Sequence, residues 1–93
     1  MHVRFTWDER KRLGNLARHG FDFRDAEAVF AGPTLTIEDS RFDCPERRYM
    51  TLGFLREVAV TIIHTETRSR IHVISFRQAT RHEEAVLFES LSN

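Results

Sequence analysis

Hydrophobic residues follow two different spacings along the chain. In some stretches they alternate with polar residues, which predicts a strand with one buried face; in others they recur every three or four residues, which predicts an amphipathic helix. The alternating stretches predict five strands, at residues 2–7, 34–38, 47–53, 57–65 and 70–76. The helical spacing predicts three helices, at residues 9–18, 23–30 and 80–91. The predicted order is β-α-α-β-β-β-β-α.

Capping residues support the limits of the first helix. Asp8 stands where an N-cap is expected, and Gly20 follows the last turn as a C-terminal cap. Leu13, Leu16 and Ala17 share one side of this helix, and we predict that this side is buried.

Short connections join the last strands and favour antiparallel hairpins, with turns predicted at residues 53–56 and 65–69 and an exposed loop at 39–46. We therefore predict an α+β fold: a small antiparallel twisted sheet with two N-terminal helices and one C-terminal helix on one of its faces. A chain of 93 residues holds one hydrophobic core, so residues 1–93 are predicted to form a single domain. Either edge of such a sheet could accept a strand or helix from a partner protein.

The charge balance excludes a general attraction to nucleic acid. The sequence has 14 basic and 14 acidic residues, so binding to a phosphate backbone would depend on a local basic patch. Every basic residue except Lys11 is an arginine. Arginine binds phosphate through two parallel N–H groups, which fits a phosphate-contacting surface. A GC-rich genome, which favours arginine codons, explains the bias equally well.

The cysteine, glycine and histidine positions exclude several other kinds of site. Cys44 is the one cysteine, which excludes an internal disulfide and favours a reducing compartment. The five histidines do not follow a metal-ligand spacing, and no glycine-rich phosphate loop is present. We predict neither a metal nor another cofactor. Because there is no signal peptide and no apolar run of about 18 residues, we expect a cytoplasmic protein.

The densest cluster of candidate catalytic groups lies between residues 70 and 84. A strand with basic side chains is followed by Arg77, Arg81 and Glu83, where the last helix is predicted to begin. Cleavage of a phosphodiester needs cations and proton-transfer groups close together. Thr80 and Glu83 also match a capping box, so Glu83 has a structural explanation beside the catalytic one.

Two histidines, His64 and His72, lie in neighbouring predicted strands that a short turn joins. One hypothesis is that they line a concave surface together with Arg70. The alternative is that all three are ordinary solvent-facing residues of their strands.

The BrnT toxin family has motifs that resemble four segments of this chain, WDERKRLGNLARHGFDFRDAEAVF, EDSRFD, ERRYMTLG and ISFRQATRHEE. The resemblance spans nearly the whole chain. It implies a RelE-like α+β fold and a type II toxin, a metal-independent ribonuclease that inhibits translation by cleaving RNA. It also implies a hetero-oligomer with a BrnA-like antitoxin, which neutralises the toxin and carries a ribbon-helix-helix DNA-binding domain. Operator DNA is then bound through the antitoxin.

The resemblance also assigns candidate site residues. Carried over by position, the polar residues that recur in the family are Lys11, Asn15, His19, Arg41, Arg48, Arg77, Arg81 and Glu83. We predict that Glu83 or His19 acts as the base in RNA cleavage and that Lys11 or a histidine delivers the proton. Arg77 and Arg81 are predicted to hold the phosphate. The residues predicted to bind RNA beside them are Arg41, Arg48, Arg70 and His72.

One departure from the family concerns the last helix. Family members often have a tyrosine near Leu87 or Phe88, and this chain has none at either position. If that tyrosine takes part in the chemistry, the chain is a weak or inactive relative. The alternative function is therefore a toxin-like module that binds an antitoxin and regulates the operon, with salt-dependent RNA binding and no turnover.

Overall fold

The computed structural model describes residues 3–39 and 46–92. Within these ranges the elements are β1 (Arg4–Trp7), α1 (Glu9–His19), the 3₁₀ turn Phe23–Asp25, α2 (Ala26–Phe30), β2 (Leu35–Asp39), β3 (Arg48–Leu55), β4 (Val58–Glu66), β5 (Arg70–Gln78) and α3 (Arg81–Leu91). The predicted α+β class and element order are confirmed. None of the described helices is long and apolar enough to cross a membrane. Most of the predicted loop at residues 39–46, with Cys44, lies outside the described ranges.

The strands form one mixed five-stranded sheet in the order β1-β5-β4-β3-β2. The neighbouring pairs β2–β3, β3–β4 and β4–β5 are antiparallel. The remaining pair, β1–β5, is parallel, with Phe5 opposite Ile71. The prediction of an antiparallel sheet is therefore wrong for the β1–β5 pair. Short turns impose the antiparallel arrangement on β3, β4 and β5. Most of the chain separates β1 from β5, so no hairpin dictates the direction of this pair.

Helices cover both faces of the sheet, so the prediction that all of them lie on one face is wrong. α2 packs on the face of Gly53, because a Cβ atom at that glycine would lie 2.7 Å from Val29 Cγ1. α3 packs on the other face, where the rings of Phe88 and Phe54 have centroids 5.6 Å apart. The central strand β4 is apolar on both sides, and such a strand needs cover on both. We name these two surfaces the α2 face and the α3 face.

The main core lies between the α2 face and the helical segment that covers it. Its buried residues are Phe23, Ala26, Val29, Leu55, Val60, Ile62, Val73 and Phe76. Burying one such side chain contributes about 1.5–3 kcal/mol for the larger residues. β4 and β5 both contribute side chains to this core, and these two strands carry most of the candidate site.

Helix α1 packs with a polar side inward, opposite to the prediction. The side chains predicted to be buried are all exposed: Leu13, Leu16 and Ala17. Arg12 is 8% exposed instead. Its Nη2 donates to Glu9 Oε2 at 2.6 Å, and its Nη1 donates to Asp22 Oδ2 at 3.0 Å. A buried guanidinium needs acceptors of this kind, and Asp22 supplies one from the segment after α1, so this side of the helix faces inward.

The β3–β4 turn consists of Arg56 and Glu57, whose φ angles are 49° and 71°. Leu55 pairs with Val58, so the hairpin has a two-residue turn with positive φ at both positions, as in type I′ turns. The turn predicted at residues 53–56 is therefore placed too early. Gly53 lies within β3, where the close approach of α2 requires the absence of a side chain.

Candidate functional site

Strand β5 contains a bulge in the middle of its ladder with β4. Ser75 pairs with Ile63, and Val73 pairs with the next residue of β4, His64. Ile74 is therefore an extra residue on β5 with no partner in this ladder. Side chains of a regular strand alternate between the two faces of the sheet, and one extra residue shifts that alternation.

The bulge places four polar residues of β5, Arg70, His72, Ser75 and Arg77, on one surface. The β4 partners of His72, Ser75 and Arg77 are alternate residues of that strand, so all three side chains point to the same face. This is the α3 face, because Thr61, the partner of Arg77, contacts α3. Arg70 lies two residues before His72 and shares the face. In a strand without the bulge, Arg77 would point away from Arg70 and His72.

Arg77 and Glu83 form a bidentate ion pair at the start of α3. Arg77 Nη1 donates to Glu83 Oε1 at 2.8 Å, and Nη2 donates to Oε2 at 3.0 Å. Oε1 also accepts from Thr61 Oγ1 at 2.8 Å and from the Thr80 backbone N–H at 2.9 Å. Hydrogen bonds from β4, β5 and the start of α3 thus fix one carboxylate group.

These contacts determine the ionisation of Glu83. The hydrogen bonds from Arg77, then those from Thr80 and Thr61, lower the pKa of Glu83 to about 2, although burial acts in the opposite direction. Thr80 Oγ1 in turn accepts from the Glu83 backbone N–H at 3.1 Å, which completes the predicted capping box. The same ionised carboxylate therefore caps α3 and holds Arg77.

Arg70 and His72 lie on the α3 face toward β1. Arg70 is opposite Arg4 in the parallel ladder, and both side chains are exposed. His72 Nδ1 forms a hydrogen bond of 2.8 Å with Thr6 Oγ1. Because two arginines stand side by side in this ladder, this end of the α3 face has a local positive charge.

Two other predicted arginines lie on or beside the same surface. Arg48 precedes Leu52 by four residues in β3, and Leu52 pairs with Thr61, so alternation places Arg48 on the α3 face. Arg81 is the first residue of α3 and is exposed. Arg41 lies outside the described residues.

His64 does not belong to this surface. It is 0% exposed and lies on the α2 face, where Phe30 and Tyr49 pack against it with ring centroids 5.2 Å and 5.9 Å away. Its Nε2 forms a hydrogen bond of 2.7 Å with Thr51 Oγ1. Burial lowers the pKa of His64 to about 4, so the ring is neutral near pH 7. The hypothesis that His64 and His72 share a concave surface is wrong, because they point to opposite faces.

A groove of about 310 Å³ runs between α1 and β5. It is lined by Lys11, Gly14, Asn15, Arg18, His19, Ile74 and Ser75. Two predicted catalytic residues, Lys11 and His19, are thus brought to one place. Ser75 belongs both to this groove and to the α3 face, so the groove borders the surface that carries Arg77.

Asn15 explains why α1 lies beside β5. Its Nδ2 donates to the Phe76 carbonyl at 2.7 Å, and its Oδ1 accepts from the Phe76 N–H at 3.1 Å. β1 ends opposite Val73, so in the described part of the chain no strand covers the edge of β5 beyond that residue. The Asn15 amide satisfies the backbone groups that a strand would otherwise satisfy.

The structure gathers the predicted residues into two neighbouring groups, the groove and the ion pair, rather than into one cluster. Sequence analysis missed Thr61 and Ser75. A hydroxyl within the most apolar strand was a signal for Thr61, whereas the face of Ser75 depends on a bulge that periodicity does not reveal. Across residues 3–39 and 46–92, no group of three His, Cys, Asp or Glu side chains could hold a metal ion.

Comparisons with known proteins identify relatives of this arrangement. The family model described as "Ribonuclease toxin, BrnT, of type II toxin-antitoxin system" matches residues 7–83. The crystal structure of the Brucella abortus ribonuclease toxin, BrnT, is similar to this chain, with a TM-score of 0.66 and 29% sequence identity. The similarity covers 85% of this chain and 99% of that chain. No curated protein matches the sequence.

Proposed function

This chain belongs to the BrnT family, the ribonuclease toxins of type II toxin-antitoxin systems, and we propose that it cleaves RNA on the α3 face of its sheet. The observation that carries the proposal is the Arg77–Glu83 pair. The Arg77 side chain is 24% exposed, so a guanidinium that is held in place still reaches the surface. Such a preorganised cation is suited to stabilise charge that develops on a phosphate during cleavage.

RNA would lie along the cations of the α3 face. Arg48, Arg70 and His72 share this face with Arg77, and contacts from such side chains to phosphates supply most of the affinity of a sequence-independent complex. Arg41 is included in the RNA-binding set because of its position in the family motif. The zero net charge of the chain makes this local arrangement necessary.

Cleavage proceeds by attack of the ribose 2′-oxygen on the adjacent phosphorus. A base removes the 2′-hydroxyl proton, the new P–O bond forms, and the bond to the 5′-oxygen breaks as that oxygen takes up a proton. The products are a 2′,3′-cyclic phosphate and a 5′-hydroxyl. Arg77 and Arg81 stabilise the negative charge on the other phosphate oxygens.

The environment of Glu83 supports His19 as the base. A carboxylate with a pKa of about 2 takes up a proton poorly near neutral pH, and both of its oxygens already accept hydrogen bonds. Imidazole is the commonest general base in enzymes, and His19 lies in the groove that borders the α3 face. Lys11, in the same groove, delivers the proton to the leaving oxygen. Glu83 then contributes by holding Arg77.

The proposal includes the biological setting of the family. Arginine side chains supply the positive charge, so cleavage needs no metal ion. Cutting RNA in the cytoplasm inhibits translation. A type II toxin implies an antitoxin, and we place a BrnA-like protein with a ribbon-helix-helix domain in that role, which also carries the complex to operator DNA.

The test is cleavage of an end-labelled single-stranded RNA by the purified chain in a buffer with EDTA. We expect the parent to cut the RNA and Arg77→Ala to lower kcat/KM by about 100-fold, because a preorganised contact to the developing charge is lost. Arg10→Ala is the matched control: Arg10 is an exposed arginine of α1 that does not line the groove. It should cleave at the parental rate.

Three results would contradict parts of this proposal. A strict requirement for added Mg²⁺ would remove metal independence. Equal losses in Arg77→Ala and Arg10→Ala would mean that total charge matters rather than the Arg77 position. A folded parent that cuts no RNA would favour the second function.

The position of the tyrosine supports that second function. Tyr49 is the one tyrosine of the chain, and its ring stacks on His64 on the α2 face. Leu87 and Phe88 have no hydroxyl, so no tyrosine stands in α3 where family members often have one. The chain would then be a catalytically weak module that binds an antitoxin and regulates its operon. Normal bacterial growth on expression, with a stable antitoxin complex, would support it.

A further inference from the structure

We propose that Thr61 is a positioning residue for RNA cleavage, because its hydroxyl fixes the Glu83 carboxylate that holds Arg77. This inference rests on the proposed function. Thr61 lies outside the motifs that carry the family resemblance and outside the capping box. Its role follows from its place in the centre of the sheet.

Thr61 is the contact between the central strand and the carboxylate. Its Oγ1 lies 2.8 Å from Glu83 Oε1, and the residue is 0% exposed. An ionised carboxylate has no hydrogen to donate, so the hydroxyl is the donor. Thr61 also stands directly opposite Arg77 in the β4–β5 ladder. β4 therefore fixes the carboxylate, and the carboxylate fixes the guanidinium.

Packing alone does not explain a hydroxyl at this position. Thr61 lies between Val60 and Ile62, both of which are fully buried. Valine has nearly the shape of threonine, and a buried hydroxyl costs free energy unless it has a hydrogen-bond partner. Here the partner is a charged group at the candidate site, so the hydroxyl at position 61 serves Glu83 rather than the apolar core.

Removal of this hydroxyl should loosen Arg77 without detaching it. Glu83 would keep its hydrogen bonds with Arg77 and with the Thr80 backbone, which lie at the end of β5 and the start of α3. The last torsion of a glutamate side chain is broad, so the carboxylate could rotate and the guanidinium with it. A displaced cation still attracts RNA but stabilises the transition state less well.

The kinetic test compares two substitutions at one site with a matched control. We expect Thr61→Val to lower kcat about tenfold while KM changes by less than about twofold, and Thr61→Ser to restore most of the loss. Thr51→Val is the control, because Thr51 is an equally buried threonine whose hydroxyl binds His64 on the α2 face. It should lower the stability of the fold and leave kcat at the parental value.

A second measurement reports on Arg77 directly. In the chain labelled with ¹⁵N-arginine, the Arg77 Nη–H signals should exchange with solvent faster in Thr61→Val than in the parent or in Thr51→Val. If Thr61→Val left both the Arg77 signals and kcat unchanged, the proposal would be overturned. The same holds if Thr61→Val and Thr51→Val both lower the stability of the fold and change nothing else. A folded parent that cleaves no RNA would refute the proposed function, and the Arg77 signals would still decide whether Thr61 fixes that guanidinium.

Discussion

At the scale of single residues, two lowered pKa values have opposite consequences for charge. Glu83 is held in its ionised form by donors from Arg77, Thr80 and Thr61. His64 is held in its neutral form by burial among aromatic rings. The first group gives the α3 face an ordered ion pair, whereas the second gives the α2 face a polar group that remains uncharged.

We predict that the free energy of unfolding falls as the pH drops from about 6.5 to about 4, because of His64. Its pKa is about 4 in the fold and 6.5 ordinarily, so in this range the unfolded chain binds a proton that the native chain does not. The full difference corresponds to about 3 kcal/mol. Urea unfolding of the parent and of His64→Gln at several pH values measures it.

The titration of Glu83 lies lower and has its own range. Its stabilising contribution is present above the ordinary pKa of 4.5 and is lost as the pH falls toward about 2.

One acid beside His64 acts against the effect of burial. Glu66 Oε1 lies 3.6 Å from His64 Nδ1 and would favour the protonated ring. If the parent and His64→Gln depended equally on pH between 4 and 6.5, the contribution of His64 would be refuted.

Residues whose roles are local could be predicted from the sequence, and residues with distant partners could not. Thr80 and Glu83 are three positions apart, so their spacing alone indicated the capping box. The acceptors of Arg12 include Asp22, and the amide of Asn15 binds the backbone of Phe76. No periodicity encodes such contacts, which depend on how the elements fold together.

At the scale of elements, the same division separates confirmed predictions from wrong ones. The strands, the helices and their order follow from short-range patterns and were predictable. The orientation of α1 was not, because a buried charge network turned its leucines outward. The direction of β1 was not predictable either, since its partner strand lies far along the chain.

The β3–β4 turn gives a prediction at this scale. Glu57 has a φ of 71°, a left-handed conformation that glycine adopts without steric cost. We therefore expect Glu57→Gly to raise the free energy of unfolding by about 1 kcal/mol. Arg68→Gly is a suitable control: Arg68 lies in the β4–β5 turn and is not among the described residues with positive φ. It should lower stability, and thermal unfolding measures both variants.

At the scale of the whole molecule, the arrangement of charge matters more than its sum. The 14 basic and 14 acidic residues cancel, yet several arginines share the α3 face. Arg12 and Arg24 lie elsewhere on the chain, where both are paired with Asp22. The composition could therefore exclude a general attraction to RNA but could not locate the surface on which we propose that RNA binds.

We predict that binding of single-stranded nucleic acid depends steeply on salt in spite of the zero net charge. Each phosphate contact contributes about 0.7 to the slope of log K against log salt, so Arg70→Ala should reduce that slope by about 0.7. Fluorescence anisotropy with an oligonucleotide that lacks 2′-hydroxyls measures binding without cleavage. Arg10→Ala should leave the slope unchanged; an equal change in both variants would place the nucleic acid elsewhere.

Ile74 sets the parity of β5. Arg70 and Arg77 are an odd number of positions apart, and in a regular strand they would point away from each other. The inserted residue makes the effective count even, while Val73 and Phe76 both still reach the core on the opposite side. Deletion of this one codon would leave a regular strand with the same two faces, because Arg70 and Arg77 would then be an even number of positions apart. A regular strand that kept Ile74 would instead force either the arginines or the core side chains onto the wrong side. β5 can therefore lose its bulge only by losing one residue at the same time.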